Sequence, residues 1–89
     1  MGEIAAVYDL MPGSADVDLE SIVAKLPSLI PKDVKIMETK IEPVAFGLRK
    51  IVVGFIINDE DEGIGGKLEA ALANIDGVEN VENTATTNL

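Results

Sequence analysis

Eighty-nine residues, 47 % of them apolar, supply one domain with one modest core, and no apolar run reaches the ~18 residues of a membrane span. Sixteen acids against seven bases give a net charge of −9, which repels phosphate backbones, and three aromatics are too few for base-stacking platforms. The absence of cysteine and histidine excludes disulfides, thiolate metal sites and imidazole-activated nucleophiles. The expected setting is cytoplasmic, with no leader at the N-terminus, no direct nucleic-acid contact and no membrane contact. Met1-Gly2 is not a myristoylation signal, because position 6 is Ala6 rather than serine or threonine.

Glu3 to Met11 alternates as a strand, with Ile4, Ala6, Tyr8 and Leu10 on one face. Pro12-Gly13-Ser14 breaks it, and Asp16 or Asp18 is placed to cap a helix. In that helix Leu19, Ile22, Val23 and Leu26 recur at helical spacing. Pro27 removes a hydrogen bond, so the expected outcome is a kinked last turn stopped by Pro31.

Val34 to Glu42 reads as the second strand, with Val34, Ile36 and Glu38 on one face and Met37, Thr39 and Ile41 on the other. A proline-started loop around Pro43 follows. Leu48 to Asn58 is the third and most apolar strand, with Ile51, Val53, Phe55 and Ile57 on one face, and belongs near the sheet centre. A second helix carries Ile64, Leu68, Ala71, Leu72 and Ile75 on one stripe, with the acids 59–62 before it and Asp76-Gly77 at its end. Val78 and Val81 open a fourth strand that fades into the polar tail Asn83 to Asn88. The order βαββαβ, read as two βαβ halves, implies an α+β ferredoxin-like sandwich: a four-stranded antiparallel sheet with both helices on one face, over one domain spanning residues 1–89.

The acidic run Asp59-Glu60-Asp61-Glu62 fails the calcium-loop spacing and reads as a solvated helix start rather than a metal site. Gly63-Ile64-Gly65-Gly66 lacks the Lys-Ser/Thr pair of a phosphate loop, and the acids before it repel phosphate. Ser14, Ser21 and Ser28 have no histidine to activate them. No catalytic residue, metal ligand or cofactor site is read. Arg49-Lys50 is thin support for an acyl phosphate hydrolase of the same fold. Phe46, at the edge of the loop, has two readings: a core residue of the strand it starts, or a partner-docking tip.

Pro43-Val44-Ala45-Phe46-Gly47-Leu48-Arg49-Lys50 resembles the Pro-[Ile/Val]-[Ala/Gly]-[Phe/Tyr]-Gly-[Leu/Ile] pattern of the elongation factor 1-beta family. Met11-Pro12, Asp16-Val17-Asp18-Leu19, Ile30-Pro31 and Ile75-Asp76-Gly77-Val78 are similar to its archaeal members. The resemblance covers nearly the whole chain. It implies guanine nucleotide exchange on elongation factor 1-alpha during translation elongation, by a free monomer that is not a bond-making or bond-breaking enzyme. It assigns partner contacts to Pro43, Phe46, Gly47, Arg49 and Lys50 in the loop, and to Asn88 and Leu89 at the chain end. In eukaryotic members a lysine next to the C-terminus is pushed toward the GTPase's magnesium site; Asn88 stands there, and Lys67 is the last basic residue. The alternative from another class is a ligand-sensing or adaptor module of the same fold, acting through its sheet face and dimerising edge to edge.

Overall fold

Strand β1 (Glu3–Pro12) sits inside the sheet, and its alternation decides which face becomes the core. Ala6, Tyr8 and Leu10 are buried on that face among the helices. The computed structural model describes residues 2–58 and 63–89. Helix α1 (Leu19–Leu29) starts at Asp18, whose Oδ1 accepts from the Ser21 amide at 3.2 Å, so Asp18 rather than Asp16 is the cap. Leu19, Ile22 and Leu26 are its buried stripe. The helix continues through Pro27 and stops at Ile30, which is extended as a residue before proline requires.

Strands β2 (Lys35–Ala45) and β3 (Leu48–Asn58), helix α2 (Ile64–Ala73) and strand β4 (Val78–Asn88) complete the order βαββαβ. The sheet order is β2-β3-β1-β4, with every neighbouring pair antiparallel, so β3 is interior as its apolar content requires. Ile51, Val53, Phe55 and Ile57 of β3 pack with Leu19, Ile22 and Leu26 of α1 and Leu68 and Leu72 of α2 in one cluster. Both helices therefore cover the same sheet face, and the fold is ferredoxin-like. The Tyr8 and Phe55 rings meet edge to face at 5.9 Å inside it.

Four readings of the sequence are corrected. Ile36 and Ile41 were expected on opposite faces, yet both pack against the core. The register steps from Ile36↔Phe55 to Glu38↔Gly54, so Met37 is an extra residue in β2 and the alternation changes phase there. Met37, 51 % exposed, lies over Gly54, its Cε 3.0 Å from where a Cβ would stand.

The region around Pro43 is strand, not loop: β2 runs to Ala45. Proline is tolerated because β2 is an edge strand and need not donate to a ladder. The polar tail is strand as well, since β4 pairs with β1 as far as Asn88 opposite Ile4. Helix α2 ends at Ala73, and the left-handed Gly77 (φ 95°) serves the turn into β4 instead of capping the helix. A Cβ on Gly77 would stand 2.9 Å from Val17 Cγ1. The expected acidic helix start at 59–62 lies outside the described residues.

Candidate partner-binding surface

Ala45 pairs with Leu48, which leaves Phe46 and Gly47 as a two-residue hairpin turn. Their φ angles are 52° and 81°, the pattern of a turn whose twist matches that of the flanking strands. Gly47 adopts this without cost, and open space surrounds its Cβ position, so conformation rather than room selects glycine. Phe46 does not: a left-handed conformation costs an L-residue on the order of 1–2 kcal/mol.

No burial of the ring among the described residues offsets that cost, because Phe46 is 102 % exposed. The reading that made it a core residue of β3 is therefore overturned. Val44, 46 % exposed, stands two residues before it as the extra residue of a second bulge between Pro43↔Arg49 and Ala45↔Leu48. The tip is thus an apolar group of Val44 and Phe46 on an acidic molecule.

Arg49 and Lys50 sit at the base of the tip, and both are engaged within the chain. Arg49 donates from Nη1 and Nη2 to the two carboxylate oxygens of Glu20 on α1, at 3.2 and 3.4 Å. That hydrogen bonding, aided by the guanidinium charge, holds the Glu20 carboxyl below its usual range. Lys50 Nζ donates to Asp9 Oδ2 at 2.7 Å. This bond raises the Lys50 pKa above the ordinary lysine value, against a smaller opposing effect of desolvation. Neither Glu20 nor Asp9 is singled out by the sequence, because each stands far along the chain from its base, 29 and 41 residues away.

Asn88 and Leu89 lie at the far end. Asn88 is opposite Ile4, and the Leu89 amide donates to the Glu3 carbonyl at 2.9 Å, so the chain end is fixed as the last rung of the sheet. Leu48 and Asn58 bound β3 between the two ends, ten steps of about 3.3 Å, or roughly 33 Å, in a molecule 43 Å long. The seven residues assigned to the partner therefore divide into five at the hairpin and two at the tail.

Among the described residues no group of three or more acidic, histidine or cysteine side chains converges on a point that would hold a metal. The candidate cluster at 59–62 lies outside them. Gly65 and Gly66 belong to the first turn of α2. A cleft of about 470 Å³ near the tail mixes Glu3 and Asp33 with Lys32 and Lys35, so no single ligand charge is favoured. No helix among the described residues is long and apolar enough to cross a membrane.

These features define a ferredoxin-like α+β domain with one strained aromatic tip and no catalytic constellation among the described residues. The C-terminal domain of the MgtC protein from Mycobacterium tuberculosis shares that fold, with a TM-score of 0.59 over 98 % of this chain and 87 % of that one. At 13 % identity the likeness is one of fold alone. The family profile described as EF-1 guanine nucleotide exchange domain matches residues 5–89. Elongation factor 1-beta of Methanosarcina barkeri is 40 % identical over 83 residues, 92 % of each chain. Elongation factor 1-beta of Methanobrevibacter smithii is 39 % identical over 89 residues, covering 100 % of this chain and 99 % of the relative. The chain belongs to the EF-1 guanine nucleotide exchange domain family, and its role lies in nucleotide exchange during translation elongation.

Proposed function

We propose that this chain promotes GDP release and GTP rebinding on elongation factor 1-alpha, the GTPase that delivers aminoacyl-tRNA to the ribosome. The observation that carries the reading is Phe46, fully exposed and held in a left-handed conformation at a hairpin tip. The hairpin turn itself calls for a left-handed residue here, but an exposed phenylalanine is a costly choice for it, whereas a ring buried in a partner pocket contributes on the order of 2 kcal/mol.

The mechanism follows from linkage. An exchange factor must bind the empty GTPase more tightly than the GDP-loaded one, and it then weakens GDP by the same factor. It makes and breaks no covalent bond and needs no cofactor of its own. In this reading Phe46 and its hairpin anchor one part of the GTPase while Asn88 and Leu89 reach another about 33 Å away. Asn88 is neutral, so the tail can hydrogen-bond near the magnesium ligands but brings no positive charge to compete with the ion.

The chain acts as a monomer in the cytoplasm. Its −9 charge opposes self-association, and the β2 edge is interrupted by two bulges and Pro43, which discourages edge pairing. The test is release of fluorescent GDP from the cognate elongation factor 1-alpha, with and without this chain, across magnesium concentrations, together with light scattering of the free chain. Faster release and a monomeric mass are expected. No acceleration together with an edge-to-edge dimer would favour an adaptor module instead.

A further inference from the structure

The hairpin is longer than the sheet that supports it. Strand β1 pairs with β3 only from Glu3↔Asn58 to Leu10↔Ile51, while β2 and β3 stay paired to Ala45↔Leu48. Residues 42–50 are therefore a two-stranded ribbon beyond the last β1 rung. Two-stranded ribbons are marginal on their own. This one also contains Pro43, which has no N–H to donate, the extra residue Val44 and the left-handed Phe46. Something outside the ribbon has to fix its angle.

Arg49 and Lys50 are adjacent on β3, so their side chains leave opposite faces of the ribbon. Arg49 meets Glu20 of α1 on the helix side. Lys50 meets Asp9 of β1 on the open side, in a partly buried pair whose carboxylate side chain is 11 % exposed. We propose that these two ion pairs form a clamp on the base of the ribbon, so that Glu20, Arg49, Asp9 and Lys50 are positioning residues for the exchange reaction and not contacts with the GTPase. The inference rests on the proposed function above.

The Arg49–Glu20 pair is exposed and adds little to folding stability, so its purpose is orientation, whereas the partly buried Lys50–Asp9 pair both holds the ribbon and contributes to the fold. The tip stands about three residues, or roughly 10 Å, beyond the base, and a rotation of about 15° there moves the ring by about 2–3 Å. A docking anchor loses its fit over such a distance. The carboxylates give a test of sign. If Arg49 and Lys50 touch the GTPase, neutralising Glu20 and Asp9 frees both bases and leaves exchange unchanged or better. If they clamp the ribbon, the same substitutions impair docking.

The experiment measures GDP release from the cognate GTPase against concentration of the intact chain, for Glu20→Gln, Asp9→Asn, their double variant and the swap Glu20→Arg with Arg49→Glu. Each single variant is expected to raise the half-saturating concentration about threefold and the double about tenfold, with the maximal release rate unchanged. The swap restores it to within about twofold, because the pair is re-formed with reversed sense. Amide hydrogen exchange at residues 42–50 quickens in both single variants, with the melting temperature nearly constant in Glu20→Gln and lowered in Asp9→Asn, where a buried carboxylate is replaced. Unchanged or improved exchange in both acid variants, with slower exchange in Arg49→Gln and Lys50→Gln, overturns the clamp and makes the bases direct contacts. Phe46→Ala is the control: normal exchange in that variant removes the underlying reading, and the clamp with it.

Discussion

The two ends of the sheet are built on opposite plans. At the hairpin end an apolar tip is displayed at a conformational cost, on a ribbon with a proline, a bulge and two ion pairs at its base. At the tail end the last strand residues, Ala85 to Asn88, are mostly polar and paired in step with β1, and the exposed Leu89 is tied to the ladder through its amide. The hairpin end spends stability to present a side chain, whereas the tail end presents what the ladder leaves over. Among the described residues strain and exposure coincide at the hairpin end alone, and that is where a partner's binding energy is best placed.

The largest expected effect breaks the hairpin end. Phe46→Ala should raise the half-saturating concentration for GDP release about 30-fold, the equivalent of on the order of 2 kcal/mol. Asparagine tolerates the left-handed region, so Phe46→Asn should lose exchange equally while stability holds or rises by up to about 1 kcal/mol. A large fall in melting temperature in either variant, with normal exchange per folded molecule, would return Phe46 to a structural role.

The next effect belongs to the body that both ends share, and serves as a control on the comparison. Burial first, then the hydrogen bond to Glu69 at 2.9 Å and that carboxylate's charge, push the Tyr8 phenol up to about 12. Below pH 10 the folded and unfolded chains both keep the proton, and Tyr8 adds no pH dependence. Between about 10 and 12 the unfolded chain loses it first, so stability falls as pH rises, by on the order of 2 kcal/mol. Denaturation followed with tyrosinate absorbance should show the loss, and Tyr8→Phe should abolish it.

Gly77→Ala should cost about 1–2 kcal/mol by chemical denaturation, because φ is 95° and Val17 stands in the way of a Cβ. Exchange per folded molecule should not change, since Gly77 belongs to neither partner-binding group. The smallest effect is at the tail. Asn88→Ala should alter the exchange rate by less than about twofold, since one exposed neutral amide is removed and the ladder with β1 is kept. A collapse in exchange with Asn88→Ala would mean that the tail end carries the activity.

The element order and the core were legible in the sequence because they are written in side chains. Ile51, Val53, Phe55 and Ile57 announce an interior strand, and Leu19, Ile22 and Leu26 a helix face. What was illegible is written in the backbone. Strand β4 beyond Val81 is Glu-Asn-Thr-Ala-Thr-Thr-Asn, an edge strand held by main-chain pairing with β1, and that pairing leaves no apolar pattern. The extra residue at Met37 inverted the faces of β2, since one inserted residue shifts every side chain after it.

The candidate site was half legible. The turn Phe46-Gly47 was visible as composition, but the choice between core and tip needed the pairing of Ala45 with Leu48. Arg49 and Lys50 were visible as bases, whereas their acids Glu20 and Asp9 lie 29 and 41 residues away in sequence and only the fold brings them together.

Release of fluorescent GDP from the cognate elongation GTPase, compared between the native chain and Phe46→Ala at matched folded concentration, tests the central claim most directly. The account predicts clear acceleration by the native chain and a loss of about 30-fold in half-saturating concentration for the variant, at equal melting temperature. Equal acceleration by both proteins would contradict it, as would none by either.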